Sequence, residues 1–336
     1  MFAGSVIVVD DGRTVFEKGY GWADRVGVRR PNAPDTLYRI GSVSKQFTAA
    51  GILALASDRK LSLDDAVAKW FPDYPRESLS RDGVDATIHH LLAHTSGIAD
   101  GQKSAFYEAN RWRRPLAPDA IIEAAHSLPM VATPGTTSAV SDYGYLLLGR
   151  IIEKASGKTY ESFLRERFWA PQGMHDTGTI LPPEKQDRAA IGYEMAGSRF
   201  YALAEQSAFG DPDCTLAFGY GQVYSSVRDL AIWDRALTAD RALPKVERER
   251  LFEPNLADYG YGWRIERKGD LVVQWHDGAL LPLGFTSYVA RIPAKDRFVA
   301  LLTNLDQEAI APFERQVAAL SGERSKRGVT YGVAPR

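Results

Sequence analysis

Cysteine is almost absent from this sequence of 336 residues. The single cysteine, Cys214, excludes an intramolecular disulfide and a cysteine-rich zinc site, and we expect it to be a small buried apolar residue. No apolar run reaches the length of a membrane-spanning helix, and no signal-peptide pattern is present. Lys and Arg number 41 against 42 Asp and Glu, a formal net charge of -1. This balance gives no electrostatic case for a nucleic-acid partner or a membrane surface.

Patterns for metals and nucleotides are equally scarce. His89, His90 and His94 lie close together, but no carboxylate follows at a helical metal-ligand spacing. Glycine-rich phosphate loops are missing. The only basic cluster, Arg111-Trp112-Arg113-Arg114, is typical of a solvated surface turn, with an anion or substrate rim as the alternative. We therefore expect no metal and no organic cofactor.

Strand-like segments are concentrated at the two ends of the chain. The first two, Ser5–Val9 and Thr14–Lys18, flank an Asp-Gly turn. Three later segments rich in Val, Tyr, Trp and Phe lie between residues 259 and 305. This distribution predicts an α+β fold, with one antiparallel sheet built from both chain ends and a mainly helical lobe inserted between them. We expect residues 1–55 plus 250–320 to form the sheet region, 56–249 the inserted lobe and 321–336 a polar tail.

The middle of the chain has apolar residues at helical spacing. Asp119, either Ser141 or Asp142, and Ser226 stand where helix N-caps are expected, and Gly157 stands where a helix would end. Ser42-Val43-Ser44-Lys45 precedes an almost wholly apolar helix that runs to Ala56. An ammonium is unusual at the start of a buried helix, so its position here indicates a catalytic role.

The spacing S-x-x-K places the Ser42 hydroxyl and the Lys45 amine on one helix face, within contact distance. The first turn of a helix has positive potential and free N–H groups. Both favour a neutral lysine base and a stabilised oxyanion, as serine nucleophilic catalysis requires. The non-catalytic alternative is that Ser42 caps the helix and Lys45 extends into solvent. A second copy, Ser57-Asp58-Arg59-Lys60, lies at the far end of the apolar run and lacks that environment, so we expect no activity there.

Six ordered segments resemble the β-lactamase-related serine hydrolases, a group of class C β-lactamases, DD-peptidases, esterases and acyltransferases. The resemblance covers nearly the whole chain and implies the β-lactamase/transpeptidase-like fold. The segments are YRIGSVSKQFTA, LLAHTSGI, PGTTSAVSDYGYLLLG, GQVYSSVRDLAIW, YGYGW and WHDGALLPLGFTS.

The resemblance implies roles for individual residues. Ser42 corresponds to the acylated nucleophile and Lys45 to its general base. His276-Asp277-Gly278 corresponds to the third motif, on a strand beside the site, where Gly278 lets substrate approach the backbone. The N–H groups of Ser42 and Ala279 would then form the oxyanion hole. Asp277 and Gly278 are expected to contact substrate, while His276 and Asp142 would position it or relay protons.

The second motif departs from the family pattern. Tyr-x-Asn is usual there, and this chain has Val140-Ser141-Asp142. Asp142 accepts hydrogen bonds as asparagine does, but it cannot donate them and it adds a negative charge near Lys45. Val140 cannot transfer a proton. Both positions are expected to line the substrate site, and either catalysis proceeds without the tyrosine or the function has been altered or lost.

The sequence thus predicts a serine hydrolase that acts on an ester or amide through a Ser42 acyl-enzyme. A small acyl ester or a D-amino-acid peptide is favoured over a β-lactam. The alternatives are a catalytically impaired homologue that binds a peptide or partner in the same cleft, and an acyltransferase. The abrupt start on a strand suggests residues removed before Met1. A removed signal would fit a periplasmic or secreted protein, and otherwise we expect a cytoplasmic one; the sequence leaves the oligomeric state open.

Overall fold

The computed structural model describes residues 2–100, 117–126, 128–196, 199–202, 217–280 and 283–305. Its strands fall into one large sheet and three small pairs. The strands are β1 (Gly4–Asp10), β2 (Arg13–Tyr20), β3 (Tyr38–Arg39), β4 (Ser80–Arg81), β5 (Val84–Asp85), β6 (Tyr193–Ala196), β7 (Arg199–Ala202), β8 (Tyr224–Ser225), β9 (Arg264–Lys268), β10 (Leu271–Leu280), β11 (Phe285–Ile292) and β12 (Arg297–Thr303).

The large sheet has six antiparallel strands in the order β2-β1-β12-β11-β10-β9. Its centre joins the two ends of the chain, because β1 pairs with β12 from Gly4 opposite Thr303 to Val9 opposite Phe298. The N-terminal strands occur as predicted and turn at Asp11 and Gly12, which both have positive φ. The prediction of an α+β fold, with one antiparallel sheet built from both ends, is confirmed.

Nine α-helices occur in the described residues, and they lie mainly in the middle of the chain. They are α1 (Lys45–Ser57), α2 (Val67–Trp70), α3 (Ile88–Leu92), α4 (Pro118–Ala125), α5 (Asp142–Ser156), α6 (Tyr160–Leu164), α7 (Ala170–Gln172), α8 (Val227–Thr238) and α9 (Lys245–Leu251). A π-helical turn, Arg165–Trp169, links α6 to α7.

Side-chain caps begin two of the longest helices. Ser141 accepts a hydrogen bond from the Gly144 N–H, and Ser226 accepts one from the Asp229 N–H. Helix α5 ends at Gly157 in the left-handed conformation, as predicted. The expected cap at Asp119 is wrong, because α4 begins one residue earlier with Pro118 at its first position. Proline is favoured there since the first helical N–H has no intrahelical partner.

Helix α1 is buried on every side. All residues from Lys45 to Leu55 are buried, and α1 packs against α5 and, through the preceding turn, against β10. A helix that is apolar all round belongs in a core, which explains the unbroken apolar run in the sequence. Because α1 begins beside β10, its first residues lie at the boundary between sheet and helices.

The division of the chain into a sheet region and an inserted lobe remains a prediction. Helix α8 lies within the predicted insert, yet it packs against β1 and β12 of the sheet. One apolar cluster includes Ile7 from the first strand, Leu146 from α5 and Leu302 from the last strand. Across the described ranges, every helix is too short or too polar to cross a bilayer.

Candidate active site

Ser42 lies in a 3-10 turn, Gly41–Ser44, that leads directly into α1. The sequence places it in the first turn of the helix, and the structure adds this tighter turn before the α-helical bonds begin. Gly41 has φ +51°, a left-handed conformation that glycine adopts without a steric penalty. A side chain there would also come within 2.8 Å of the Ala279 nitrogen. The chain can therefore turn sharply into α1 while its backbone touches β10.

Lys45 meets Ser42 as the S-x-x-K spacing predicts. Its Nζ lies 2.8 Å from Ser42 Oγ, and its side chain is only 1% exposed. The rings of Tyr145 and Tyr220 face the ammonium, with centroids 5.7 Å from Nζ. Lys45 therefore does not extend into solvent, and the alternative in which it does so is wrong. Its amine is available to the serine hydroxyl.

Strand β10 lies against the Gly41–Ser44 turn and forms the other side of the site. A side chain at Gly278 would lie 2.2 Å from the Ile40 carbonyl and 3.0 Å from the Ser42 nitrogen, so the two backbones touch. Ser287 on β11 donates its hydroxyl to the same Ile40 carbonyl at 2.7 Å. Ala279, the next residue on β10, thus adjoins the Gly41–Ser42 backbone. The pair of N–H groups expected to bind an oxyanion lies on these two touching segments.

His276 is buried, and both of its ring nitrogens contact other groups of the chain. Nδ1 lies 2.5 Å from the carbonyl oxygen of Asp277, which can only accept, so Nδ1 carries the hydrogen. Nε2 is then an acceptor, and the Tyr259 hydroxyl donates to it at 3.0 Å. His276 therefore has a defined tautomer, held by Tyr259 on one side and the backbone on the other.

Burial also keeps this imidazole neutral. Loss of hydration lowers the pKa of His276 to about 4, and the Lys45 charge contributes in the same direction, against the opposing effect of Asp277. The pKa of His94 is lowered well below its usual value, again mainly by burial. His94 accepts the Ser141 N–H at its Nδ1, which ties it to the cap of α5.

Asp142 is the first residue of α5, and its carboxylate contacts Lys45. The distance from Lys45 Nζ to Asp142 Oδ1 is 2.6 Å, and the Asp142 side chain is 33% exposed. Val140 lies two residues earlier with 57% of its surface exposed. The second motif thus brings a carboxylate to the lysine, while the valine offers an apolar surface at the mouth.

Asp277 lies beside the site but is paired within the sheet. Its Oδ1 is 3.7 Å from Nε of Arg264 on β9, and the side chain is 15% exposed. The guanidinium of Arg264 also lies over the Trp275 ring, 5.3 Å from its centroid. Among the described residues, Lys45 and Arg264 therefore each face a carboxylate, Asp142 and Asp277 respectively.

The second S-x-x-K copy has a different environment. Ser57 is the last residue of α1, where the helix dipole is negative. Lys60 is exposed and lines a cavity of about 560 Å³ beyond that helix end. Within the part of the chain that the structure describes, no hydrogen bond joins Ser57 to Lys60. The pair therefore lacks the geometry seen at Ser42.

Sequence reasoning missed the tyrosines behind the site. Tyr259 contacts His276, its ring is 4.7 Å from that of His94, and Tyr145 donates its hydroxyl to the Leu92 carbonyl at 2.9 Å. The segments YGYGW and YGYLLLG contain these residues, but periodicity alone assigns them only to the core. The Tyr259 hydroxyl thus holds the His276 ring, and the Tyr145 hydroxyl is bound to the backbone.

Some predicted features lie outside the described residues, namely the Arg111–Arg114 cluster, Cys214 and the tail 321–336. Among the residues that are described, no group of three or more His, Cys, Asp or Glu side chains could hold a metal ion. His89 instead contacts the Tyr261 hydroxyl through Nδ1 at 2.7 Å.

Comparison with known sequences gives related proteins over most of the chain. A family profile described as Beta-lactamase matches residues 2–323. Penicillin-binding protein 4* of Bacillus subtilis (strain 168) is 29% identical over 323 residues, covering 91% of this chain and 69% of that protein. The putative penicillin-binding protein PbpX of the same strain is 30% identical over 265 residues, covering 79% and 62% respectively. This chain therefore spans only part of each relative.

Solved structures agree with these sequence matches. The octameric penicillin-binding protein homologue from Pyrococcus abyssi superposes with a TM-score of 0.78 at 28% identity, covering 96% of this chain and 74% of that chain. D-amino acid amidase from Ochrobactrum anthropi SV3, complexed with L-phenylalanine amide, has a TM-score of 0.77 at 25% identity, covering 96% and 95%.

Proposed function

This chain belongs to the β-lactamase family, and from that premise we propose that it is a hydrolase that forms an acyl-enzyme on Ser42. The observation that carries the proposal is the 2.8 Å contact between Lys45 Nζ and Ser42 Oγ at the start of a buried helix. The relatives support serine hydrolase chemistry at the level of the family. The residue roles and the substrate class given below are proposals.

In the proposed reaction, Ser42 Oγ attacks the carbonyl carbon of an ester or amide while its proton passes to Lys45. The oxyanion that forms accepts hydrogen bonds from the N–H groups of Ser42 and Ala279. Gly278 supports this role, since any side chain there would collide with the backbone at Ile40 and Ser42. Water then hydrolyses the acyl-enzyme and regenerates Ser42.

We propose a small acyl ester or a D-amino-acid amide or peptide as substrate, rather than a β-lactam. One solved relative named above, D-amino acid amidase, is an amidase by its name, which supports this class of substrate. In many β-lactamases the third motif is K-T-G, with a lysine where this chain has His276. Because burial lowers the pKa of His276 to about 4, it is neutral at physiological pH and offers no positive charge to a substrate carboxylate. Asp142 and Asp277 offset the charges of Lys45 and Arg264, so these two cations attract an anionic substrate less strongly.

Intact-mass analysis after treatment with a fluorophosphonate tests the nucleophile without knowledge of the substrate. We expect one adduct on the wild-type protein and none on Ser42→Ala. D- and L-phenylalanine amide and an activated aryl ester then separate the substrate classes by product release. The proposal is abandoned if the wild-type protein forms no adduct with any acylating probe, and an adduct that persists in Ser42→Ala moves the nucleophile elsewhere.

A catalytically impaired homologue is the second candidate, and one observation favours it. Val140 offers no phenol where the family usually has tyrosine, and its apolar side chain is exposed. Such a protein would bind a peptide or partner there without acylation, and the absence of an adduct would support it. An acyltransferase would instead form the adduct and pass its acyl group to an added alcohol or amine in competition with water.

The low pKa of His276 leads to a prediction about how the free energy of unfolding depends on pH. The imidazole titrates near pH 6.5 when the chain is unfolded and near pH 4 when it is folded, so the unfolded state binds more protons between these values. This group therefore removes stability as pH falls from 6.5 towards 4 and has no effect above 7. Urea unfolding should show about 2 kcal/mol lost from this residue between pH 7.5 and pH 4.5.

His276→Gln is the matched variant, since glutamine can accept from Tyr259 without titrating. We expect its free energy of unfolding to fall less than that of the wild type across the same range. The remaining loss in both proteins reports the other buried histidines, such as His94. An equal pH dependence in the two proteins would mean that His276 is protonated in the folded state near its ordinary pKa.

A further inference from the structure

Lys45 contacts both the nucleophile and a carboxylate, and this arrangement points to a relay of three groups. We propose that Asp142 accepts, through Lys45, the proton that Ser42 loses when it is acylated. The inference rests on the proposed function and changes which group is the final base. In the family pattern an asparagine stands at this position and cannot take up a proton, so the role would be particular to sequences with an acid here.

The distances support a continuous path. Ser42 Oγ lies 2.8 Å from Lys45 Nζ, and the same nitrogen lies 2.6 Å from Asp142 Oδ1. The two groups are stable as an ion pair, because the buried Lys45 ammonium would otherwise lack a counter-charge. An ammonium has no lone pair. Lys45 can thus accept the Ser42 proton only as it passes one of its own protons to another base, and Asp142 is in contact.

The groups around the pair leave this role to Asp142. Among the described residues, Asp142 is the carboxylate that forms an ion pair with Lys45 Nζ. Arg264 faces Asp277 on the neighbouring strands, at 3.7 Å. The other titratable groups packed around the lysine are two histidines with lowered pKa values and three phenols, at His94, His276, Tyr145, Tyr220 and Tyr259.

The position of Asp142 suits a group that alternates between two protonation states. Its carboxylate lies at the first residue of α5, where the positive end of the helix dipole favours the anion. The 33% of its side chain that is exposed gives bulk water access to the proton. Lys45, by contrast, is buried and cannot release its proton to solvent directly.

The step balances with an activated ester as substrate. The Ser42 Oγ–H bond breaks as Oγ bonds to the carbonyl carbon, and the π pair moves to the carbonyl oxygen. One proton moves from Oγ to Nζ and another from Nζ to Oδ1, leaving Lys45 an ammonium and Asp142 a carboxylic acid. The intermediate then collapses and the leaving group departs as an anion, while Asp142 returns its proton to water.

The rate of labelling by a fluorophosphonate measures this step directly, because fluoride leaves without protonation. Asp142→Asn keeps the shape of the side chain but cannot accept the proton. We expect its labelling at pH 7 to be about a hundredfold slower or more, and to recover towards alkaline pH, where hydroxide can take up the proton instead. Asp142→Glu, which retains a carboxylate, should recover part of the neutral-pH rate. Thermal unfolding of each variant checks that it is folded.

Asp119→Asn is the matched control, an exposed aspartate that pairs with Arg150 on α5 away from the nucleophile. Its labelling should follow the wild-type pH profile. The inference is wrong if Asp142→Asn labels at the wild-type rate with an unchanged profile, or if it labels faster at pH 7. Absence of labelling in the wild type overturns the proposed function instead, so the two failures are distinguishable.

Discussion

Ser42→Ala is expected to abolish turnover of every ester or amide substrate. The methyl group leaves Lys45, Asp142 and the oxyanion donors in place but provides no atom that can bond to the substrate carbonyl. Loss of a serine nucleophile costs on the order of 10⁴-fold or more in kcat, with residual catalysis from binding and the oxyanion hole. Steady-state hydrolysis of an activated aryl ester measures the effect, after correction for background hydrolysis.

The second S-x-x-K pair provides the matched controls. Ser57→Ala and Lys60→Ala alter the same residue types at the same spacing, but Ser57 lies at the negative end of α1 and Lys60 is exposed. Both variants should retain wild-type turnover. If activity is lost through Ser57 or Lys60 while Ser42→Ala stays active, the assignment of the motif is wrong.

Val140→Tyr is expected to increase amide hydrolysis much more than aryl-ester hydrolysis. A phenol at this position would reach the leaving atom and donate a proton to it. General acid assistance typically contributes about a hundredfold to ten-thousandfold in rate. An amine leaves only when protonated, whereas an activated aryl oxide leaves as an anion. We therefore expect the natural chain to form an acyl-enzyme with activated esters and to turn over amides poorly.

Tyr143 does not replace the missing phenol. It is 1% exposed, and its hydroxyl contacts that of Tyr74 in the interior, on the side of α5 away from Lys45. Tyr143→Phe should therefore leave the ratio of amide to ester turnover unchanged, and it is the control for Val140→Tyr. Equal gains on both substrates, or a natural chain that is already a fast amidase, would contradict the role given to the phenol.

The sequence predicted the sheet well because its strands have strong local signals. The apolar run Val6–Val9, the β-favouring residues Thr14 to Phe16 and the Asp11-Gly12 turn define β1 and β2 before any tertiary contact is considered. Local sequence signals do not show which strands pair when they are far apart in the chain. The prediction of one sheet built from both chain ends followed from the distribution of strands, and the structure adds that β1 pairs with β12.

At the site, the Ser42–Lys45 contact could be predicted because both residues are on one turn. The Asp142 ion pair was only partly foreseen, since the sequence indicates a charge near Lys45 but not a carboxylate oxygen 2.6 Å from Nζ. The tautomer of His276 could not be foreseen, because it depends on Tyr259, seventeen positions away along the chain. Such contacts are set by tertiary packing.

The contact between the nucleophile turn and β10 has a consequence for folding. The hydroxyl of Ser287 and the carbonyl that accepts its hydrogen bond, Ile40, are 247 positions apart in sequence. Contacts so distant form late and slowly, since a long loop must be closed first. During synthesis, the serine therefore emerges from the ribosome long before Ala279, the second of its two proposed oxyanion donors. A nascent chain that ends before β10 should be inert towards acylating compounds, and labelling of Ser42 would report the completed fold.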